Sequence, residues 1–378
     1  MHDGARTALR IGKRLASVDC LRGLAVAGMI LANNPGDSAH VYAPLRHAAW
    51  HGCTVADLVF PLFLFLVGAS VALAVDREAV ASGRAPGFWP RALKRVCVLF
   101  LLGLGENAWL RLSVAALRIP GVLQRIAVVY AVAAWLHVRV RADRTLVAIV
   151  AGALLGYWLL LAWAPVPGLG QPSLAREANL EGWLDQLVFG RHIWKAGTLW
   201  DPEGVLSTLP AAALGLVGVL AGRWLRRGGT GAFGVAAAGA AMLALGLAWD
   251  AALPFNKSLF TSSFACFAGG VGVTLLAVAH RLLDGPEHPA AWAAPLRALG
   301  KNALAVYVAA SLAATALRHV TLPNAAGARA SLQAVCFRAL FGGWSDPYLA
   351  SLAWGVCFLL AAWGAAALLA ARGLTIKA

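Results

Sequence analysis

Apolar runs as long as a membrane is thick recur along this chain from end to end, parted only by short polar segments. Each holds roughly 20 residues, enough helix to cross a hydrocarbon core about 30 Å thick. With no water to bond to, the backbone of such a run must satisfy itself, and a helix does so within one segment. The composition agrees. Of 378 residues, 60% are hydrophobic and 13% charged, with a mean hydropathy of +0.71, more apolar than the roughly half of a soluble domain. The runs predict spans near 18–33, 55–75, 96–110, 120–138, 145–163, 204–222, 231–253, 259–279, 296–317 and 347–371. The expected fold class is therefore all-α, a polytopic membrane bundle of about ten transmembrane helices in one domain over residues 1–378. The third run is short and closes on Glu106 and Asn107, so part of it is expected to face protein or water.

The net charge of +15 does not point to nucleic acid, because Lys and Arg fall between the apolar runs and form no continuous basic face. The basic stretch from Met1 to Arg14 resembles the start of a signal peptide. Asp19 and Arg22 break the apolar region after it and no small-residue cleavage site follows, so an uncleaved first helix is expected. If the N-terminus is cytoplasmic, the inner segments carry 19 Lys and Arg. The outer segments carry ten, namely Arg46, Arg111, Arg118, Arg176, Arg191, Lys195, Lys257, Arg318, Arg329 and Arg338. The positive-inside bias then places both termini in the cytoplasm.

Cys20, Cys97, Cys266 and Cys357 lie inside apolar runs and read as small hydrophobes. No metal-ligand spacing appears, so no metal is expected. Cys53 and Cys336 fall in outer loops, which leaves a disulfide between them open. Gly152/Gly156 and Gly218/Gly222 are small-xxx-small pairs expected at helix contacts.

The two long outer segments, 34–54 and 164–203, carry His40, His47, His51, Trp50, Glu177, Glu181, Asp185, Trp183, Asp201 and Glu203, which points to an outward-facing binding surface. The densest polar stretch begins at Asn33-Asn34-Pro35-Gly36, continues through His47-Ala48-Ala49-Trp50-His51-Gly52-Cys53-Thr54 and enters the second span at Asp57. A histidine at a water–membrane boundary accepts a proton near neutral pH, as acyl transfer to an amine requires; the plain alternative is a loop histidine. Trp50 offers a flat face to a sugar ring or serves as an interfacial anchor. Thr54 and Asp57 have capping-box spacing, which is Asp57's first reading. Asp201-Pro202-Glu203-Gly204 suits a helix start, with Asp201 as cap; Glu203 is also placed to hold a substrate ammonium.

Charges within the runs are costly and call for named partners. Asp19 and Arg22, three apart, are expected to pair. Lys301 and Asn302 sit near an inner helix start, where an ammonium and an amide meet phosphates. Glu106 and Arg125 are expected to form a structural ion pair. No Walker A, zinc-protease helix or nucleophile elbow is present, which argues against an ATP-driven pump, a metalloprotease or a serine hydrolase but leaves transport open.

At these residues the chain resembles the catalytic transmembrane domain of heparan-α-glucosaminide N-acetyltransferase and its bacterial NagX-type relatives. The matching segments are Ser17-Val18-Asp19-Cys20-Leu21-Arg22-Gly23, Asn33, the stretch from His47 to Pro61, the run from Arg118 to Arg125, Asp201-Pro202-Glu203-Gly204, and Asn302 with Tyr307. The resemblance implies acetyl-CoA entering from the cytosol and an acceptor amino sugar on the other face, with His47 catalytic and Asn33 its partner near the acetyl group. The resemblance implies a form without the large N-terminal extension of the animal enzyme, as expected in the bacterial inner membrane. Ala310-Ser311 stands where the animal enzyme is expected to carry a His-Glu pair, so a heparan-like acceptor does not follow from the resemblance.

The resulting expectation is a membrane acetyltransferase. Arg22, Lys301 and Asn302 would receive coenzyme A, His47 and Asn33 carry the chemistry, and Trp50, Asp57, Asp201 and Glu203 meet the sugar. Its expected partners are the lipid bilayer, acetyl-CoA, an amino sugar and a second copy in a homodimer. The rival is an N-acetylglucosamine transporter, for which paired repeats with interrupted helices would be expected.

Overall fold

The computed structural model describes residues 14–113, 117–194, 198–229, 231–285, 291–323 and 329–376. Most of the basic N-terminal stretch, Lys195 and Lys377 lie outside the described residues. The helices are α1 (Ala16–Asn33), α2 (Val55–Ala74), α3 (Arg77–Ala81), α4 (Phe88–Arg111), α5 (Val122–Arg139), α6 (Asp143–Trp163) and α7 (Leu180–Phe189). They continue with α8 (Thr208–Arg226), α9 (Ala232–Asp250), α10 (Ser262–Leu283), α11 (Ala294–Lys301), α12 (Ala303–His319), α13 (Leu332–Phe341) and α14 (Pro347–Ala371). Strand structure among the described residues is limited to two short antiparallel ribbons, Leu174–Ala175 with Ala178–Asn179 and Thr321–Pro323 with Arg329–Ser331. The chain is an all-α polytopic membrane protein.

α2 runs through the middle because its sequence after the first turn is apolar but for Ser70, and Leu64, Phe65 and Leu66 are fully enclosed. α8 lies directly on it. A Cβ at Gly218 would collide with the Phe65 carbonyl and one at Gly222 with that of Ala69, so these glycines let two backbones touch. The Gly152/Gly156 pair behaves otherwise and meets nothing within 4 Å. α6 turns Leu146, Val150, Leu154, Tyr157 and Leu161 to the bundle, and the helical period leaves the two glycines on the opposite face.

The loops gather at two ends. At one, the Trp50 indole N–H donates to the Leu174 carbonyl (2.9 Å), the Gly52 N–H to that of Phe255 (2.7 Å) and the Asp37 N–H to Ser351 Oγ (3.0 Å). Segments 34–54, 164–203 and 251–261 and the start of α14 therefore share that end. At the other, the Ser17 N–H donates to Asp284 (3.1 Å), Arg223 to Asp143 (2.9 Å) and Arg226 to the Val75 carbonyl (2.8 Å).

Among the described residues, eight helices are long and apolar enough to cross a membrane, and a ninth crossing is made if Ala291–Lys301 and Ala303–His319, bent by 71°, count as one. α4 joins the same two ends: Arg95 lies over the Tyr130 ring at 4.8 Å, while Arg111 bonds the carbonyls of Ile193 and Trp194. Its charged first turns, with Arg91, Lys94 and Arg95, start the helix eight residues before the apolar run at 96. The sixth expected span differs at its start. α8 begins at Thr208, because Asp201 caps a tight turn through the Glu203 N–H (2.9 Å) and not the helix. The Asp19–Arg22 pair forms at 3.3 Å. The expected Glu106–Arg125 pair does not: Glu106 accepts from Ser311 on α12, while Arg125 turns to Ser207 and the Gly204 carbonyl (3.2 Å). The two residues sit on helix faces that point to different neighbours. Cys53 and Cys336 are free thiols.

Candidate active site

The polar end is organised by one carboxylate. Asp57 stands in the first turn of α2, where the positive end of the helix dipole favours an acid. Its Oδ2 accepts the Thr54 N–H (3.0 Å), the Thr54 hydroxyl (3.1 Å) and the Ala48 N–H (3.1 Å), and so draws residues 47–54 back over the helix start. Its Oδ1 is left for His47 Nδ1, at 2.8 Å. The Asp57 side chain is 1% exposed and that of His47 41% exposed. An ionised carboxylate only accepts, so the contact puts the proton on Nδ1 and leaves the Nε2 lone pair as the basic nitrogen. Asp57 is thus both cap and orienter of His47.

Lys257, from the loop between α9 and α10, completes the group. Its Nζ lies 3.2 Å from His47 Nδ1, 3.5 Å from Nε2 and 3.6 Å from Asp57 Oδ1. Burial lowers its pKa, against the opposing pull of Asp57 and Glu203. Sequence reading passed over this residue. The available signal was a lone cation, in Asn256-Lys257-Ser258, inside a very short break between two apolar runs.

Arg118, Asp201 and Glu203 form a second cluster beside it. Arg118 grips Asp201 through Nε (2.8 Å) and a terminal nitrogen (2.5 Å) and also bonds Glu203. Burial opposes the Arg118 charge, but Glu203 and Asp201 outweigh it and raise the pKa. Asp201 is wholly enclosed, so it offers no surface to a sugar; the guanidinium has taken the place expected for a substrate there. Below it, Asp185 accepts the N–H groups of Asp201 and Val205, both at 2.9 Å, and burial raises its pKa to about 6.

Trp50 sits in a cluster with Trp200 (4.9 Å between centroids), Arg176 (6.0 Å) and His51 (6.2 Å). Its indole N–H is committed to Leu174, so it pins the two outer segments together. His40 is tied to Asp37 (2.7 Å) and packed on Tyr348 (5.3 Å). Asn33, the last residue of α1, is exposed, while the neighbouring Asn34 is buried and bonds the Ile30 carbonyl (2.8 Å).

The opposite end holds a cavity of about 420 Å³. Arg14, Arg22, Arg95 and Lys301 line it together with Asn302, Ser70 and Tyr130. Arg22 is oriented by Asp19 and by Ser70. Asn302 is largely occupied: its Nδ2 donates to the Leu374 carbonyl (3.2 Å) and its Oδ1 accepts the Ile376 N–H (2.9 Å). Along α2 the cavity reaches Phe63, six residues from Asp57, or about 9 Å of helix rise. One helix thus carries the floor of a basic cavity and the carboxylate of the His47 dyad. No group of three or more His, Cys, Asp or Glu fit to hold a metal occurs among the described residues.

Fold and site together define a multi-pass membrane protein with a basic cavity at one end and a histidine–carboxylate pair at the other. Residues 14–177 match the family model described as heparan-alpha-glucosaminide N-acetyltransferase, catalytic. The heparan-alpha-glucosaminide N-acetyltransferases of Homo sapiens and Mus musculus are each 30% identical to the chain over 262 and 259 residues, 56% of its length in both cases. Through this segment the chain is similar to the catalytic part of the heparan-alpha-glucosaminide N-acetyltransferases. It spans 38% and 39% of the length of those relatives.

Proposed function

We propose that this protein moves an acetyl group from cytosolic acetyl-CoA to the amino group of a glucosamine-type sugar at the outer face of a bacterial inner membrane. The observation that carries this reading is the shared helix α2, which links the basic cavity to His47 and Asp57. A cavity lined by four cations suits the phosphates of coenzyme A, since charge-assisted bonds are the strong ones. The thioester would extend along α2 toward His47. There Nε2 takes the proton that the attacking amine must lose, while Asp57 holds the imidazole in the required tautomer. Asn33, at the end of α1, is assigned to the acetyl carbonyl, and Glu203 and Trp50 to the sugar side. The excess of Lys and Arg at the cavity end supports a cytoplasmic position for that end.

A transporter would carry its interrupted helices at the bilayer midplane. The one bent pair among the described residues breaks next to Lys301, at the cavity end, where it shapes the cation-lined pocket. Purified protein in detergent should bind acetyl-CoA and release coenzyme A only when glucosamine is added. Uptake of N-acetylglucosamine into vesicles with no coenzyme A release would overturn the proposal.

A further inference from the structure

We infer that Lys257 is a catalytic residue of the His47 centre, its ammonium meeting the acetyl carbonyl oxygen as negative charge develops there. This rests on the acetyltransferase reading and extends it to a residue outside the matched segment 14–177.

The geometry argues first against a simple counter-ion. Asp57 already accepts from His47, Ala48 and twice from Thr54, and Lys257 stands farther from its Oδ1 (3.6 Å) than from His47 Nδ1 (3.2 Å). An ammonium has three donors and no acceptor, and the Nδ1 proton is already directed at Asp57. The cation is therefore held beside the imidazole with donors to spare. Nearly equal spacing from Nδ1 and Nε2 puts Nζ over the ring or off its Cε1 edge. An amine hydrogen-bonded to Nε2 attacks a carbonyl lying next to the imidazole, and an oxygen turned to the Cε1 side of the ring comes within reach of that ammonium.

The loop is also built to hold the ammonium still. Asn256 Oδ1 accepts the Leu259 N–H (2.9 Å), the Thr261 N–H donates to the Asn256 carbonyl (3.1 Å), and Thr261 Oγ1 bonds the Pro254 carbonyl (3.1 Å). Asp250 accepts the Phe255 N–H (2.5 Å), and Phe260 is held at φ +47°, a conformation costly for an aromatic residue. The Gly52–Phe255 bond (2.7 Å) joins this loop to the one that carries His47. Fixed donors aimed at a developing oxyanion need no reorganisation during reaction, the condition under which they accelerate it most.

In the step itself the amine nitrogen bonds to the carbonyl carbon and the carbonyl π pair moves onto oxygen, facing Lys257. His47 Nε2 takes the amine proton. Collapse of the oxyanion breaks the C–S bond and sends its electron pair to sulfur, and the proton on His47 neutralises the departing thiolate.

The test compares wild type, Lys257→Met, Lys257→Gln and Lys257→Arg with acetyl-CoA and with its dithioester analogue, whose C=S sulfur accepts hydrogen bonds poorly. Lys257→Met should lower kcat with acetyl-CoA about 10²- to 10³-fold, leave acetyl-CoA affinity unchanged, and be partly restored in Lys257→Arg. With the dithioester the difference between wild type and Lys257→Met should largely vanish. Equal losses with both donors, or an unimpaired Lys257→Met, overturn the inference while the function stands. Should Lys257→Met fail to bind acetyl-CoA, Lys257→Gln takes its place in the same comparison. Absence of transfer by the wild type overturns the function and this inference with it.

Discussion

His47 Nδ1 lies 2.8 Å from Asp57 Oδ1, and ten residues of chain are folded back to make that contact. Removing the base should abolish most transfer: His47→Ala is expected to lose about 10²- to 10⁴-fold in rate while binding acetyl-CoA normally. Asp57→Asn should lose nearly as much, since an amide no longer fixes the Nδ1 proton. His40→Ala and His51→Ala should keep most activity, because neither ring contacts this pair. Wild-type rates in His47→Ala would remove it from the mechanism.

The cavity makes a separate prediction about binding. Arg22→Ala and Lys301→Ala should each weaken acetyl-CoA affinity about 10- to 100-fold, the worth of one charge-assisted hydrogen bond. Titration in detergent measures it. Unchanged affinity in both variants would take the phosphates elsewhere.

Asp201 is enclosed and bound on two sides by Arg118. Asp201→Asn leaves Arg118 with Glu203 alone and should therefore destabilise the protein by about 2 kcal/mol, the worth of a buried hydrogen bond to a charged group. Glu203→Gln keeps the Arg118–Asp201 pair and should cost less. Melting curves in detergent test the order; a more damaging Glu203→Gln would contradict it.

Asp185 gives the fold a pH dependence with a definite sign. Burial raises its pKa from 3.8 to about 6, so the folded state holds the proton more tightly than the unfolded chain. Its contribution is complete below about pH 4 and is lost as pH rises through about 6. Wild type should gain more melting temperature than Asp185→Asn between pH 7.5 and pH 5. Identical gains would show that Asp185 does not titrate in this window.

Topology can be read by labelling. Cys introduced at Ala39 and at Ala178 should both react with an impermeant maleimide from outside intact cells. The native Cys53 thiol should stay inert, because burial and then the nearby Asp57 push its pKa up to about 12. Labelling of Ala39→Cys and Ala178→Cys from opposite sides would refute the shared outer face.

The sequence by itself determined the class of the fold and most of its spans, because hydrocarbon admits only backbones that bond to themselves and an apolar run of sufficient length has no other use. It also singled out His47, Asp57, Arg22 and Lys301 as candidates, since polar residues in or beside such runs are costly enough to stand out. Tertiary structure decided their partners. Glu106 and Arg125 sit at comparable depth, yet helix rotation turns one to Ser311 and the other to Ser207. Gly218 packs where Gly152 does not, because only one of those helix faces meets a neighbour. Lys257 reaches His47 across 210 residues of chain. Local patterning sets which residues are polar and which helix carries them, but the approach of one helix end to another is a sum over the whole bundle's packing, and no single segment encodes it.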